Sequence, residues 1–228
     1  MNNFDDIASE YRDIHNENLK VTGLSSDFFA EKKIQIITQD NPQADNLKIL
    51  DFGCGDGILE IYLNKYLSTC SCFGIDPSNK SIAEAKKKNL INTTFSEFNG
   101  LQIPFPNNFF NIIIVAQVLH HIDRKNHLSA IKEICRVLKN DGSLYIFEHN
   151  PYNPLTKYIV KTCVFDKGVQ LLRPKYLSSH LNTAGFKKNT LNYMSFFPNK
   201  YFFKKLIRYE NYLKKIPLGA QYYFKSCK

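Results

Sequence analysis

No apolar run in this 228-residue sequence approaches the roughly 20 residues that span a bilayer, so no transmembrane helix is expected. A secretory leader is not expected either. The sequence opens Met1-Asn2-Asn3-Phe4-Asp5-Asp6, acidic and polar where such a segment is basic and then apolar. The six cysteines (54, 70, 72, 135, 163 and 227) form no C-x-x-C pair and no clustered Cys/His spacing, so neither a metal site nor a disulfide framework is read. Reduced thiols in a cytoplasmic protein are the simplest reading. Internal repeats, low-complexity tracts and long linkers are missing as well, which leaves one domain with additions at both ends.

Acidic residues are scarce in the last third. Up to residue 150 there are 15 Lys and Arg against 19 Asp and Glu; beyond it there are 15 against only Asp166 and Glu210. That asymmetry fits an anionic substrate, an acidic partner or a membrane surface, and it equally fits a solvated basic face. Charge alone does not choose. Hydrophobic content of 43% and charged content of 22% are ordinary for a globular domain.

What is present is an alternation of strands and helices. Residues 4–16 and 25–39 carry apolar residues at helical spacing, and Asn41-Pro42 ends the second of these helices. Strands are expected at 47–52, 71–76, 91–98, 110–116 and 143–148. The clearest is Phe110–Ala116, continuous and β-branched as a buried parallel strand should be. Helices are expected at 57–67, from Ser78 to Asn89, and from Asp123 or Arg124 to Lys139, the last closed by an Asn140-Asp141-Gly142 turn. Beyond Pro174 the pattern predicts a helix over 176–184 stopped by Gly185, then a strand over 186–196. A helix over 199–214 and a strand over 220–225 follow. The fold class read from this is α/β: a Rossmann-like, seven-stranded, mostly parallel sheet flanked by helices. Residues 1–44 form an N-terminal helical cap, 45–150 a cofactor-binding core, and 151–228 a helix and antiparallel-strand extension on the substrate side.

The segment Asp51-Phe52-Gly53-Cys54-Gly55-Asp56-Gly57 sits where the first strand turns into a helix. Glycines there permit positive φ and let backbone approach a ligand. Asp76 ends the second strand 19 residues after Gly57, suitably placed to bind a ribose diol. A dinucleotide site would want a glycine one position beyond Gly57, where Ile58 stands. Asp51 would also sit poorly beside a pyrophosphate and well beside an ammonium or sulfonium group. Electrostatics therefore favours S-adenosylmethionine over a nicotinamide or flavin cofactor.

On these residues the sequence resembles the class I S-adenosylmethionine-dependent methyltransferases, specifically the broad bacterial group with an L-H-H element after the fourth strand. Ile49 to Gly57 resembles the first motif of that family, and the resemblance implies that Asp51, Gly53, Cys54 and Gly55 line the methionine moiety. Gly74-Ile75-Asp76-Pro77-Ser78 is similar to the ribose-binding motif, which adds Asp76 and Pro77. Phe4-Asp5-Asp6-Ile7-Ala8-Ser9-Glu10-Tyr11 is similar to an N-terminal segment whose tyrosine, here Tyr11, covers the cofactor. Phe98-Asn99-Gly100 resembles the loop that meets the adenine, with Asn99 where Asp is usual beside Gly100. Ile103 to Asn111 matches an L-P-F-x-x-x-x-F-D stretch, again with Asn for Asp at 111. Ala116-Gln117-Val118-Leu119-His120-His121-Ile122 carries the L-H-H element, and Gln117 joins the implied cofactor contacts. Ile134 to Gly142 matches an R-V-L-K-x-G-G helix end. More narrowly, Phe147 to Pro154 and Pro217 to Tyr223 resemble features of methyltransferases of bacterial surface-sugar pathways.

Methyl transfer is an in-line displacement at an activated carbon, so the protein chiefly aligns a nucleophile and manages its proton. Histidine is the first residue to look for. His120 and His121 follow the fourth strand at the carboxyl edge, where open α/β sheets bind ligands, and Glu148 and His149 end the fifth strand beside them. These four are the candidate catalytic residues; packing of the His120–His121 pair is the alternative. His15, His127 and His180 fall in expected surface helices and read as structural or solvated. Cys54 reads as a space-filler, not a nucleophile. The aromatic tail (Tyr193, Phe196, Phe197, Tyr201, Phe202, Phe203) serves either as lid and sheet packing or as a pocket cap. Lys204, Lys205 and Arg208 suit phosphates or a solvated face.

The favoured function is methyl transfer to a small-molecule acceptor, anionic or phosphorylated, with a sugar or nucleotide-linked sugar hydroxyl as the leading case. An RNA or protein methyltransferase using the basic last third is the alternative, although no appended nucleic-acid module is visible. A non-catalytic protein that kept the fold is the third reading.

Overall fold

The β-branched run at 110–116 becomes the centre of a seven-stranded sheet in the computed structural model, which describes residues 25–163, 169–197, 206 and 209–228. In chain order the elements are α1 (Ser26–Asp40), β1 (Lys48–Phe52), α2 (Ile58–Tyr66), β2 (Ser71–Asp76), α3 (Asn79–Lys86) and β3 (Thr93–Glu97). There follow β4 (Phe110–Ala116), α4 (His127–Val137), β5 (Leu138–His149), α5 (Pro154–Thr162) and α6 (Pro174–Thr183). The last are β6 (Lys187–Met194), α7 (Glu210–Leu213) and β7 (Gln221–Cys227). The sheet order is β3-β2-β1-β4-β5-β7-β6. The first five strands in sequence pair in parallel, whereas β7 runs antiparallel to both β5 and β6. This is the Rossmann-like architecture expected.

The chain order reverses at the β1–β4 junction, which opens a crevice at the carboxyl ends of those strands. Both faces of the sheet are covered, so the central strands are apolar on both sides. Ile49, Ile112, Ile114 and Phe147 pack with Ile34, Ile37 and Leu63 from α1 and α2. Leu50, Ile113, Val115 and Ile146 pack with Ile131, Ile134, Leu177 and Leu181 from α4 and α6. α1 starts where Ser25 accepts the Phe28 N–H, and its outer edge is tied to α2. Tyr62 donates to Asp27 at 3.0 Å, and Glu31 accepts from Tyr66 at 2.6 Å and pairs with Lys65.

Two elements depart from the sequence pattern. The helix expected to reach Lys139 stops at Val137, and the chain enters β5 at once, so the Asn140-Asp141-Gly142 turn is absorbed into the strand. Leu138 pairs with Phe110, and a register shift between Phe110 and Ile112 takes up the extra residues. Pairing with β4 outweighs the local turn preference there. Second, α5 was not anticipated, although its start is signalled: Asn153 accepts the Thr156 N–H at 3.0 Å and Pro154 occupies the first turn. Of the helix expected over 199–214, Leu206 and the four-residue α7 are helical; most of the rest, including Lys204, Lys205 and Arg208, lies outside the described residues, as do the 4–16 helix and Tyr11.

Among the described residues no helix is long and apolar enough to cross a membrane.

Candidate functional site

The loop after β1 folds back on β2. Gly53 and Cys54 both donate their N–H to the Ile75 carbonyl, at 2.8 and 3.1 Å. Gly53 adopts φ +81°, and a Cβ there would lie 2.5 Å from Val118, so this position needs glycine on two counts. Gly55, at φ +53°, is the opposite case: a Cβ would meet nothing within 4 Å, so its backbone faces open space. The Gly55 N–H donates to one Asp76 oxygen at 3.0 Å, and the Ser78 N–H donates to the other at 2.9 Å. These bonds hold the Asp76 carboxylate at the rim, and an ionised carboxylate accepts about four bonds in all, enough for a ribose diol as well. Exposed Pro77 forms the bend between Asp76 and Ser78.

Asp51 is only 2% exposed, and its side-chain hydrogen-bond partner is another acid, Glu60. Burial, and then the charge of Asp76, push its carboxyl up to about 7, while Lys33 pulls the other way. Glu60, fully buried in the first turn of α2, is pushed well above the carboxylate range by burial and by Asp51. It fills the space over Gly74, where a Cβ would lie 2.7 Å from its Oε1. The two acids hydrogen-bond to each other, and Lys33 of α1 is the buried cation that faces Asp51. Burial brings the Lys33 ammonium down to about 8 against the attraction of Asp51 and Glu148. An added ammonium or sulfonium is what this acid pair would accommodate.

The rest of the rim lies along the same edge. Phe98 donates its N–H to the Asp76 carbonyl at 3.3 Å, which sets Asn99 and Gly100 beside that residue. The Asn99 side-chain oxygen accepts the N–H groups of Leu101 and Gln102, so it shapes its own loop. Gly100 opens onto space at φ +74°. Gln117 ends β4 in a left-handed conformation, φ +63°, and its buried amide has no partner among the described groups. Cys54 is a buried space-filler, and burial pushes its thiol far up.

Next to Gln117 a short turn, Leu119–His121, brings the L-H-H element over the end of β5. His120 Nδ1 lies 2.5 Å from Glu148 Oε2, and the Leu119 N–H donates to Glu148 Oε1 at 3.1 Å. The side chains of His120 and Glu148 are each 1% exposed. The His120 ring centroid lies 4.2 Å from that of His121 and 5.3 Å from that of His149, both half-buried. All four candidate catalytic residues thus meet in one place, two of them sealed from solvent and two half-buried. His127, read as a surface histidine, is instead buried: its ring bonds Tyr176 and the Ile122 carbonyl. Burial lowers its pKa. Among the described residues no group of three or more His, Cys, Asp or Glu is arranged to hold a metal ion.

The Asp76 carboxylate, the glycine loop and the buried Asp51–Glu60 pair lie together at the carboxyl edge of the sheet. Residues 50–146 match the family model described as a methyltransferase domain. That match covers less than half of the chain.

Relatives agree. A Bacillus subtilis methyltransferase, YcgJ, is 28% identical over 106 residues, 45% of this chain and 40% of that protein. The release factor glutamine methyltransferase of Flavobacterium psychrophilum is 33% identical over 158 residues, 54% of this chain and 55% of its own. The chain spans about half the length of the curated relatives it matches. Among solved structures, an S-adenosylmethionine-dependent methyltransferase of Thermotoga maritima superposes with a TM-score of 0.71 over 99% of this chain and 98% of that one, at 16% identity, and so shares the fold.

Sequence reasoning missed two residues of this domain's floor, Glu60 and Lys33. Lys33 had a visible signal. It stands four residues from both Phe29 and Ile37, on the buried stripe of α1, where an unpaired lysine is costly. Glu60 likewise lies on the inner face of α2, three residues before Leu63.

Proposed function

We propose that this chain transfers the methyl group of S-adenosylmethionine to a hydroxyl of a small-molecule acceptor, with a sugar or nucleotide-linked sugar as the leading class. The cofactor, when bound, supplies a methyl carbon activated by an adjacent sulfonium. The protein is left to hold the acceptor in line and to take its proton. Asp76, Gly55 and the Asn99–Gly100 loop would hold the nucleoside end, while Asp51 and Gln117 would hold the amino-acid end.

The observation that carries the acceptor reading is the buried Glu148–His120 pair beneath His121 and His149. Both Glu148 oxygens are taken inside the protein, so this carboxylate orients rings and does not touch acceptor. An ionised Glu148 makes Nδ1 of His120 the donor. His121 and His149 are then the groups able to receive the acceptor's proton. The sugar preference rests on the resemblance of residues 147–154 and 217–223 to surface-sugar methyltransferases, an analogy about substrate.

A polymer acceptor is the second reading, favoured by the basic last third. The non-catalytic reading loses one support. Asn111, where the family has Asp, accepts the Lys48 N–H at 3.0 Å and the Lys139 ammonium at 3.2 Å, so it fastens strands and has no part in the chemistry. A cytoplasmic site of action is part of the proposal, from six cysteines with no disulfide spacing.

Labelled S-adenosylmethionine added to a size-fractionated extract tests this. Label entering the small-metabolite fraction, and lost in the His121→Ala and His149→Ala double variant, is the expected result. Label entering only polymer would transfer the proposal to the second reading, and no label in any fraction would end it.

A further inference from the structure

We propose that the face built by α5 and the 212–218 segment docks on an anionic lipid bilayer beside the mouth of the site. It concerns where the domain works and does not depend on which acceptor takes the methyl group.

The face begins one residue after His149. Asn150, fully buried, donates from Nδ2 to the carbonyls of Pro217 at 3.0 Å and Gly219 at 2.7 Å. Asn153 donates to the Leu218 carbonyl at 2.7 Å, and Thr156 to the Ala220 carbonyl at 2.9 Å. These bonds rivet the start of α5 to a segment some 65 residues further on. They make one surface of side chains that the sequence keeps far apart. Leu155, Tyr158, Ile216 and Leu218 project from it, with Tyr158 60% and Leu218 63% exposed. Isolated exposed apolar residues need no explanation, but a group of aliphatics and tyrosines on one face does.

Charge says what covers it. Lys157, Lys161 and Lys214 are exposed on the same two segments. Among the described residues of 150–162 and 209–220 the one carboxylate, Glu210, is buried, paired with Lys32 and accepting the Phe196 and Phe197 N–H groups. Lysines ringing aliphatic and tyrosine side chains are the composition of an interfacial contact, where apolar tips enter the headgroup boundary and cations meet lipid phosphates. A second copy of this chain would set lysines against lysines. A polynucleotide would use the lysines and tyrosine but would leave Leu155, Ile216 and Leu218 in water.

The face also points the right way. β7 pairs Gln221 with His149, so the patch lies at the carboxyl edge of the sheet, next to the candidate histidines. Lys187 and Lys188 lie at the opposite end of β6, which pairs Lys187 with Cys227. A bilayer docked on the patch would therefore present amphiphiles to the crevice.

Co-sedimentation of the full chain with vesicles tests this, comparing phosphatidylcholine alone with phosphatidylcholine carrying about 30 mol% phosphatidylglycerol. Binding to the anionic vesicles alone is expected. Each lysine near such a surface is worth about fivefold in partitioning, so Lys157→Glu with Lys161→Glu should weaken binding about 25-fold or more. Leu155→Ser with Leu218→Ser should weaken it about tenfold or more, with an unchanged melting temperature because both sites are exposed. Lys187→Glu with Lys188→Glu should bind as the unaltered chain does. Three results overturn the proposal: no preference for anionic vesicles, full binding by the leucine variant, or polyuridylate binding tighter than vesicle binding.

Discussion

The Nδ1 of His120 lies 2.5 Å from Oε2 of Glu148, while Oε1 of the same carboxylate accepts the Leu119 N–H. One side chain thus fixes both the backbone of the L-H-H turn and the ring of its first histidine. Glu148→Gln keeps the shape and removes the charge, and its amide must present a donor to one of two groups that are already donors. The ring beneath His121 and His149 then loses its anchor. With the unaltered chain as reference, kcat for methyl transfer should fall about 10–100-fold. Cofactor affinity by isothermal titration should stay within about twofold, because Glu148 lies outside the ribose and methionine contacts proposed above. Affinity that collapses in step with kcat would move Glu148 to the cofactor side of the site.

Asp76 holds the Gly55 and Ser78 N–H groups by its two oxygens. Asp76→Ala removes both of these charge-assisted bonds together with the acceptors meant for the ribose diol. Affinity for S-adenosylhomocysteine should drop about 100-fold or more. Asp76→Asn, which keeps one acceptor oxygen, should fall between that variant and the unaltered chain. Titration calorimetry of the three proteins checks the order, and equal affinity for all three would exclude Asp76 from the cofactor site.

The sequence displays the parts of this site that are local and hides those that are not. The Asp51–Gly57 loop and Asp76 each sit at the end of a short strand whose apolar character is visible, so their meeting at one edge follows from parallel pairing alone. His120, His121, Glu148 and His149 could be placed together for the same reason. What pairing does not reveal is that Glu148 is spent on His120, because that depends on which way a side chain turns at a buried strand end. The acid pair of Asp51 and Glu60 with Lys33 joins three elements, and only the odd lysine on the apolar stripe of α1 hints at it. The start of β5 at Leu138 was illegible because a partner strand nearly 30 residues away decides it against a strong local turn.

Asn150 shows how much one buried amide holds. It is fully buried, its Nδ2 serves two carbonyls of the 217–219 segment, and its Oδ1 accepts the Tyr152 N–H at 3.0 Å. Asn150→Ala would strand two carbonyls and one N–H. The expected cost is roughly 2–4 kcal/mol, or a melting temperature lower by roughly 5–10 °C. Scanning calorimetry measures this directly. A loss below roughly 1 kcal/mol would mean that water replaces the amide without penalty and that the segment is not held by it.

The buried acids set an unusual pH dependence. In the folded protein Asp51 is raised to about 7, first by burial and then by the charge of Asp76, and Glu60 is raised well above the ordinary carboxylate range by burial and Asp51. Unfolded carboxyls titrate near pH ~4, so over the interval between the two states the folded chain holds more protons than the unfolded one. The stability from these groups is therefore complete below about pH 4 and is lost as pH rises toward about 7. Lys33, lowered to about 8, acts afterwards: stability returns as the pH climbs from about 8 toward the ordinary lysine range. Cofactor binding should have the opposite sign to the acids. An ammonium set against Asp51 favours its ionised form, so affinity should rise through about pH 6–8 and binding should release a proton. Calorimetry at about pH 6.5 in two buffers of different ionisation heat counts that proton. Glu60→Gln keeps a donor toward Asp51 and removes one acid, so it should flatten the fall in melting temperature while leaving affinity at about pH 8 unchanged. Affinity that is flat across this range, with equal heats in both buffers, would mean that Asp51 does not meet the cofactor's ammonium.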